Sequence, residues 1–311
     1  MPINHSPLRY PGGKAALAPF LKALIQENGL GTVSYAEPYC GGSGAALELL
    51  FEGIVDAVYL NDIDPAIYSF WRTIVRDPEA FCSLIASTPI TIDEWHVQRE
   101  YYLRYRTRVG PKLAFAAFYL NRTNRSGILA AGPIGGRAQT GKWLLGARFN
   151  KEELIKKIKR IARYADRIHV SQLDAIEFLK DTINPLKKQI LVYLDPPYYV
   201  QGQSLYTNHY GPDDHAAIAK FVQKKLNKPW VVSYDNHPKI EQLYGTCERV
   251  DYGIRYSAQA RYFGRELIVI SDKLQMTDIT DPLSVDRLQS QQRKRENDVS
   301  RRAMWRQAGH A

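Results

Sequence analysis

The hydrophobic positions of this chain follow two alternating periods along most of its length. Apolar residues spaced three and four positions apart predict helices, at residues 15–28, 65–75, 113–120, 151–165, 175–180 and 214–226. Short apolar runs bounded by turn residues predict strands, at residues 32–37, 57–60, 167–170, 190–194, 230–234, 249–252 and 267–271. Because strands and helices alternate, the pattern predicts an α/β fold with a mostly parallel sheet.

Two departures from this alternation define the expected domain organisation. The last two predicted strands have no helix between them, so we expect them to pair as a hairpin within a mixed, seven-stranded sheet. Residues 76–164 are predicted to form an insert that interrupts one main domain, made of residues 1–75 and 165–272. Residues 273–311 form a polar extension, which we interpret as a charged tail.

Composition favours a cytoplasmic protein without a membrane segment. Hydrophobic residues make up 45% of the 311 positions, but no apolar run approaches the ~20 residues that span a bilayer. The N-terminus lacks the basic-then-apolar pattern of a signal peptide. The three cysteines, Cys40, Cys82 and Cys247, are widely spaced, which fits a reducing compartment and predicts no metal site.

The insert contains a long stretch without acidic residues. Between Tyr101 and Asn150 there is no Asp or Glu. The basic residues of this stretch are Arg104, Arg106, Arg108, Lys112, Arg122, Arg125, Arg137, Lys142 and Arg148. A solvated surface usually mixes both signs, so this excess predicts contact with nucleic-acid phosphates. The interleaved tyrosines of residues 101–106 either contact sugars and bases or form the apolar face of an amphipathic helix.

The tetrapeptide Asp195-Pro196-Pro197-Tyr198 follows the apolar run at residues 190–194. In open α/β sheets, ligands bind at the carboxyl ends of the strands. Two prolines end strand pairing at this point, because proline has no backbone N–H to donate. The segment suits an amino group on a flat ring: Asp195 and the Pro196 carbonyl can accept its two hydrogens while Tyr198 stacks on the ring. The alternative is a strand-ending turn with a solvated aspartate.

A glycine turn (residues 38–44) follows Glu37 and leads into an apolar, helix-like run at residues 45–50. Glycines in such a turn let the backbone approach a ligand closely. Asp62 ends the next predicted strand, where an acid can accept hydrogen bonds from ribose hydroxyls. Because the full dinucleotide fingerprint is missing, the pattern favours a nucleoside ligand without a pyrophosphate. The alternative is an ordinary loop or helix cap.

In content and order, these motifs resemble the Dam-type family of DNA adenine-N6 methyltransferases, which use S-adenosylmethionine. The resembling segments are residues 8–14, 37–42, 60–65, 119–122 and 195–198. The resemblance implies a Rossmann-like S-adenosylmethionine-dependent methyltransferase fold with a mainly helical DNA-recognition insert. It also implies site-specific methyl transfer to the N6 amino group of an adenine flipped out of duplex DNA.

The resemblance further implies roles for individual residues. Catalytic roles fall to Asp195, Pro196, Pro197 and Tyr198. Cofactor-binding roles fall to Tyr10, Gly12, Gly13, Lys14, Glu37, Pro38, Gly41, Gly42, Asp62, Asp174 and Asp195. DNA-binding roles fall to Arg104, Arg106, Arg108, Arg122, Asn124 and Arg125. Two alternatives remain open: Asp174 can be a helix N-cap, and Arg122 can brace the insert against the sheet rather than read a base.

The segment from Asn121 to Leu129 departs from the family signature. Ser126 stands where the family has asparagine, and Ile128 stands where it has leucine. These departures remove the basis for assigning the GATC target that family members with the intact signature often read.

Other functions were weighed against this interpretation. RNA and protein amino-group methyltransferases share the scaffold, but their tetrapeptide usually begins with Asn. A catalytically inactive DNA-binding relative would not need Asp62 and an intact tetrapeptide. A metal nuclease would use His209, Asp213, Asp214 and His215, although their spacing fits a turn and a helix N-cap more simply. The expected partners are double-stranded DNA and, within a restriction-modification system, a separately acting restriction endonuclease.

Overall fold

A seven-stranded β-sheet forms the centre of the fold, with the strand order β3-β2-β1-β4-β5-β7-β6. The computed structural model describes residues 5–10, 14–199, 210–256, 262–276 and 282–283. The strands are β1 (Val33–Glu37), β2 (Val55–Asn61), β3 (Ile168–Ser171), β4 (Ile190–Leu194), β5 (Trp230–Asp235), β6 (Arg249–Tyr256) and β7 (Tyr262–Ile270). Strands β1 to β5 pair in parallel, and β7 is antiparallel to both β5 and β6. The predicted α/β fold and C-terminal hairpin are confirmed.

Both faces of the central strands are buried. In β4, Leu191 and Tyr193 join the apolar core on one face, and Ile190, Val192 and Leu194 join the core on the other. This division follows from the alternation of side chains along a strand. Strands β1 and β4 are buried along their whole length. This explains the continuous apolar run of β4, whereas β1 also buries the polar residues Ser34 and Glu37.

Helices cover the two faces of the sheet. The α-helices in the described part of the chain are α1 (Ala18–Glu27), α2 (Gly44–Phe51), α3 (Pro65–Arg76), α4 (Pro78–Ser87), α5 (Ile92–Tyr105), α6 (Pro111–Thr123), α7 (Lys151–Ala162), α8 (Ala175–Glu177), α9 (Pro212–Lys224) and α10 (Pro238–Leu243). Helix α8 continues as a π-helical turn over Phe178–Ile183. Among the described residues, no helix is both long enough and apolar enough to cross a membrane.

Helices α4 and α5 lie where the apolar periodicity predicted no helix. Helix α5 has few fully buried side chains, Trp95 and Tyr102, so its apolar period is weak. Both helices nevertheless begin at recognisable caps, because Asp77 Oδ1 accepts from Ala80 N at 3.1 Å and Thr91 Oγ1 accepts from Glu94 N at 3.2 Å. Capping residues were therefore the available signal for these two helices.

The predicted insert shares its apolar core with the main domain. Phe70 of α3 stacks on Phe118 of α6, with ring centroids 5.8 Å apart, and meets Phe81 of α4 edge-on at 5.7 Å. Leu154 and Ile158 of α7 belong to the same core. The insert is thus fixed to the helical layer over the sheet, which sets its position relative to the carboxyl ends of the strands.

Candidate active site

The carboxyl ends of the five parallel strands meet at one edge of the sheet, and several predicted site residues lie there. Glu37 ends β1, Asp62 follows β2, and Asp195 follows β4. Along the sheet, the chain order reverses direction between the neighbouring strands β1 and β4. In open α/β sheets, ligands bind in the crevice at such a switch point, so Glu37 and Asp195 flank the expected ligand position.

Asp195 is held by a hydrogen-bond chain that starts in β5. Its Oδ1 accepts from Ser233 Oγ at 3.0 Å, and Ser233 Oγ lies 2.7 Å from the hydroxyl oxygen of Tyr193. Ser233 and Tyr193 are buried, whereas Asp195 is partly exposed. The chain of bonds fixes one carboxylate oxygen and thereby the orientation of the whole group.

Tyr198 forms part of the wall of the site rather than projecting from it. The residue is 6% exposed, and its hydroxyl donates to Glu266 Oε1 at 2.5 Å. The next residue is also fixed, because Tyr199 N donates to Asp235 Oδ1 at 2.9 Å. Strands β5 and β7 therefore hold the tetrapeptide at both of its ends.

The glycine turn has no room for side chains at two of its positions. A Cβ atom at Gly41, whose φ is +43°, would lie 2.9 Å from the ring of Tyr10, and a Cβ atom at Gly44 would lie 2.8 Å from Cβ of Ala15. The indole Nε1 of buried Trp71 donates to the Gly41 carbonyl at 2.8 Å. These contacts keep the turn close to the N-terminal segment, with its backbone rather than side chains facing its neighbours.

Asp62 is tied to the glycine turn by backbone hydrogen bonds. Its Oδ2 accepts from Gly41 N at 2.9 Å, and its Oδ1 accepts from Asp64 N at 3.0 Å. Burial raises the pKa of Asp62 to about 7, and the negative charge of Asp64 adds to the rise while the two backbone bonds oppose it. The side chain stays partly accessible to solvent, so it can still be reached by a ligand.

Glu37 is a buried acid beside the tetrapeptide, with 4% of its surface exposed. Burial raises the pKa of Glu37 to about 8, and the charge of Asp195 adds to the rise while polar contacts from Ser43 and the Ala46 N–H oppose it. The hydroxyl of Tyr35 lies beside this carboxyl without a hydrogen bond of regular geometry. A neutral Glu37 lowers the electrostatic cost of placing the Asp195 carboxylate nearby.

Asp174 is the N-cap of α8, as the alternative interpretation expected. Its Oδ1 accepts from Ile176 N at 2.8 Å and from Glu177 N at 3.4 Å. The side chain is exposed, and its charge contributes to the raised pKa of Tyr210, which is mainly caused by burial. The hydroxyl of Tyr210 lies 2.8 Å from that of Tyr39 in the glycine turn. Capping leaves Asp174 close to an aromatic pair beside this turn.

The N-terminal segment connects the glycine turn to the insert. The side-chain amide of Asn121 accepts from Arg9 N at 2.7 Å through Oδ1 and donates to the Arg9 carbonyl at 2.7 Å through Nδ2. Nδ2 also donates to the Gly127 carbonyl at 2.8 Å. Tyr10, the next residue, packs on Gly41. Predicted residues Gly12 and Gly13 lie outside the described residues, and Lys14 begins a 3-10 helix over Lys14–Leu17.

The three residues of the insert signature that were predicted to contact DNA differ sharply in environment. Arg122 is half-buried and donates to two backbone carbonyls, from Nε to Arg148 at 2.7 Å and from Nη1 to Pro7 at 3.5 Å. Asn124 is fully buried, where it accepts from Trp95 Nε1 at 2.6 Å and donates to two carbonyls of the following loop. Arg125 is exposed. Of the three, Arg125 is therefore the side chain that is most accessible to DNA.

The arginines at the end of α5 lie on the surface. Arg104, Arg106 and Arg108 are exposed, and the guanidinium groups of Arg104 and Arg108 lie 5.5 and 6.0 Å from the ring centroid of Tyr105. Tyr102 is buried in the core, as the amphipathic alternative expected. Burial raises the pKa of Asp64, and the charge of Arg106 opposes the rise. Arg106 thus lies near the strand end that carries Asp62.

The stretch without acidic residues (residues 101–150) also contains an exposed aromatic residue. Trp143 is 64% exposed, its neighbour Leu144 is 53% exposed, and Lys142 Nζ lies 5.9 Å from the Trp143 ring centroid. Exposed aromatic and basic side chains together are typical of nucleic-acid contact surfaces. Lys142 belongs to the basic residues of the predicted phosphate-contact stretch, whereas the sequence gives no signal for Trp143, because burial cannot be read from an isolated tryptophan.

Four functional candidates were not assigned by sequence reasoning. Asn61, fully buried at the end of β2, donates to the carbonyls of Pro38 and Leu173 at 3.0 and 2.9 Å and so joins two loops of the site. The others are Asn121, Ser233 and Glu266, whose contacts with Arg9, Asp195 and Tyr198 are described above. Asn61 and Asn121 lie within the resembling segments 60–65 and 119–122, but no role followed for them from the resemblance. Ser233 and Glu266 act on residues distant in sequence, so no local pattern marks them.

Two of the four residues considered for a metal site have other contacts in this geometry. Asp214 Oδ2 accepts from Gly211 N at 2.8 Å at the start of α9, and buried His215 places Nδ1 3.0 Å from the Tyr234 hydroxyl. His209 lies outside the described residues. Asp214 is thus a capping residue and His215 a core residue, as the simpler interpretation expected.

The sequence from residue 10 to residue 257 matches the family model of the D12 class N6 adenine-specific DNA methyltransferases. Among curated proteins, no sequence matches this chain significantly. Similar solved structures include a candidate RNA methyltransferase from Pyrococcus horikoshii, with 10% identity, a TM-score of 0.39 and 85% of each chain covered. The rRNA methyltransferase AviRa from Streptomyces viridochromogenes has 14% identity and a TM-score of 0.38, covering 84% of this chain and 86% of its own. Both likenesses are too distant to indicate an activity.

Proposed function

Because the chain belongs to the D12 class N6 adenine-specific DNA methyltransferase family, we propose that the carboxyl edge of its sheet holds S-adenosylmethionine and a flipped adenine side by side. One observation carries this assignment of the site. The Asp195 carboxylate follows the strand next to the glycine turn and is fixed by Ser233 at 3.0 Å. That position is where the switch point of the sheet brings a cofactor and a target together.

The residues on the cofactor side fit S-adenosylmethionine. The glycine turn can bring its backbone close to a ligand, because it has no side chain at Gly41, where a Cβ atom would lie 2.9 Å from the Tyr10 ring. Asp62 is oriented by two backbone N–H groups and remains partly accessible, so its carboxylate can accept from ribose hydroxyls. Asp174 lies close to Tyr210, which pairs with Tyr39, and this group suits the edge of an adenine ring. Glu37, Pro38 and Gly42 line the same turn, and Lys14, Gly12 and Gly13 remain proposed contacts by resemblance.

The chemistry follows from the tetrapeptide. When bound, the cofactor would supply an electrophilic methyl group on a sulfonium. The sulfonium would leave as a neutral thioether as the carbon–nitrogen bond forms, and the amino proton that is lost would pass to the Asp195 carboxylate or to water. The amino nitrogen of adenine is a poor nucleophile, because its lone pair is delocalised into the ring. The Asp195 carboxylate and the Pro196 carbonyl accept its two hydrogens, which favours a tetrahedral nitrogen and localises the lone pair in the transition state. Pro197 keeps the segment rigid, and the ring of Tyr198 holds the flipped base in place.

We assign the insert (residues 76–164) to DNA binding. Its acid-free stretch places Arg104, Arg106, Arg108 and Arg125 at exposed positions, where they can neutralise phosphates or reach bases. Burial lowers the pKa of Arg122 to about 10, and the nearby positive charges of Arg9 and Arg148 contribute to this lowering. The buried side chain of Asn124 has no surface for a base, so we confine its role to shaping the loop that presents Arg125.

A direct transfer assay tests the proposal. The purified chain is incubated with methyl-labelled S-adenosylmethionine and, in parallel, unmethylated plasmid DNA, ribosomal RNA or a protein extract. We expect label to enter duplex DNA alone, and modified-base sequencing of the plasmid to place it on the N6 atom of adenine at one recurrent sequence. Label in RNA or protein but not in DNA would refute the proposed substrate. Resistance of the methylated plasmid to a restriction endonuclease encoded nearby would identify a separately acting partner.

A further inference from the structure

A buried acid joins two tyrosines behind the tetrapeptide. Glu266 of β7 is 0% exposed, and its Oε1 accepts from the Tyr198 hydroxyl at 2.5 Å while its Oε2 accepts from the Tyr252 hydroxyl. In the sheet, Glu266 pairs with Asp235 of β5 on one side and with Tyr252 of β6 on the other. A buried carboxyl group is costly unless its oxygens are hydrogen-bonded, and the two phenols meet this need.

The hydrogen bond to Glu266 uses the hydroxyl of Tyr198, which base stacking does not require. Stacking requires the flat ring, and a phenylalanine would provide it equally well. The hydroxyl is buried at the far end of the ring and is tied to a strand 68 residues away in sequence. A ring held at its hydroxyl end cannot swing about the Cα–Cβ bond, so the axis of the ring keeps a fixed direction relative to the Asp195 carboxylate.

We propose that Glu266, supported by Tyr252, is a positioning residue that fixes where the Tyr198 ring lies against the flipped adenine. The inference rests on the proposed function of the tetrapeptide. A fixed ring keeps the amino nitrogen of the stacked base within hydrogen-bonding distance of Asp195 and the Pro196 carbonyl, and such alignment supplies much of the rate of a direct transfer. We expect the effect to fall on the target base, because Glu266 hydrogen-bonds the tetrapeptide through the Tyr198 hydroxyl.

The test compares Glu266→Gln, Tyr252→Phe and Tyr198→Phe with wild type. Tyr244→Phe is the matched control, because Tyr244 is fully buried and its hydroxyl makes no hydrogen bond of regular geometry among the described residues. Three quantities are measured: the single-turnover rate of methyl transfer to plasmid DNA, the dissociation constant of S-adenosylmethionine, and the emission of 2-aminopurine placed at the methylated adenine of a duplex.

We expect the transfer rate to fall about tenfold in Glu266→Gln and Tyr252→Phe. The dissociation constant of the cofactor should stay within about twofold of wild type, and 2-aminopurine emission should rise because the flipped base stacks less well. The Tyr198→Phe/Tyr252→Phe double variant should be no slower than Tyr198→Phe alone, since both act through one group. Tyr244→Phe should match wild type.

Three results would overturn the inference. The first is a wild-type rate and emission in both Glu266→Gln and Tyr252→Phe. The second is an equal loss of cofactor affinity and transfer rate in these variants, which indicates general damage to the fold. The third is a comparable loss in Tyr244→Phe. Inactivity of the wild-type protein on DNA would instead refute the proposed function, and this inference with it.

Discussion

Replacing Arg122 by alanine separates a bracing role from a base-reading role. In the structure its Nε donates to the Arg148 carbonyl at 2.7 Å, and its Nη1 donates to the Pro7 carbonyl at 3.5 Å. A hydrogen bond from a charged donor contributes about 1.5–3 kcal/mol, and the second bond is at the limit of length and adds little. Relief of the repulsion from Arg9 and Arg148, which helps lower the pKa of Arg122, offsets part of the loss.

We therefore expect Arg122→Ala to lower the free energy of unfolding by about 1–2 kcal/mol. With an unfolding entropy of about 2.1 cal/mol/K per residue, this corresponds to a Tm lower by about 1.5–3 °C. Differential scanning fluorimetry measures this shift. The DNA sequence that the variant methylates should be the same as for wild type, because the Arg122 guanidinium faces backbone carbonyls of its own chain rather than DNA. Plasmid methylation profiling measures the sequence preference of the variant.

Arg125→Ala is the matched comparison, since Arg125 is exposed and three residues further along. We expect its Tm to equal that of wild type. If Arg125 reads a guanine, methyl transfer at the cognate site should fall by about 1–3 kcal/mol, with relaxed preference at one base position. An Arg122→Ala protein with an unchanged Tm and a relaxed sequence preference would refute the bracing role. Unchanged rate and preference in Arg125→Ala would refute base reading by this residue.

Three further predictions concern catalysis, cofactor affinity and DNA affinity. Asp195→Ala should reduce methyl transfer more than tenfold with little change in cofactor affinity, because the carboxylate contacts the target base; labelled transfer and calorimetry measure the two effects. The raised pKa of Asp62, about 7, leaves the carboxyl mostly neutral at pH 6 and mostly ionised at pH 8. Cofactor affinity should therefore rise about tenfold over this interval. In calorimetric titrations, Asp62→Asn should bind the cofactor more weakly than wild type, and its affinity should not change with pH. Replacing the arginines Arg104, Arg106 and Arg108 by alanine should weaken binding to all duplex sequences alike, with a salt dependence shallower by up to about 0.9 log units per lost phosphate contact.

A specific result would contradict each of these three predictions. A tenth or more of wild-type turnover in Asp195→Ala would remove the carboxylate from the mechanism. A pH dependence in Asp62→Asn as steep as in wild type would assign the titration to another group, with Glu37 and its pKa of about 8 as the first alternative. Sequence-selective loss of binding in the triple arginine variant would show that these side chains read bases. Replacement of Lys187 and Lys188, which precede β4 at the end opposite the tetrapeptide, provides a control for simple loss of positive charge.

The sequence by itself determined the sheet and the identity of the edge that carries the site. Apolar runs mark strands buried on both faces, and the missing helix between the last two strands specified their antiparallel pairing. Asp195 and Asp62 could be assigned because each directly follows such a strand, and the carboxyl ends of parallel strands meet at one edge. Local order along the chain was sufficient for these inferences.

Tertiary structure decided which side chains are available and which are already engaged. Arg122, Asn124 and Arg125 stand within four positions of one another, yet one braces carbonyls, one is buried, and one is exposed. Helix α6 ends at Thr123, so the direction of each side chain depends on the packing of this helix end and the following loop. A sequence pattern can mark the segment but cannot specify these directions.

The same limit applies to the residues that support the tetrapeptide. Ser233 lies 38 residues from Asp195, and Glu266 lies 68 residues from Tyr198. These partners meet because β5 and β7 are neighbours in the sheet, and they are neighbours because the C-terminal hairpin folds back with β7 next to β5. The residue types at the site followed from local sequence, whereas their orientation came from strand pairing, since hydrogen bonds between distant segments form only once the sheet has been assembled.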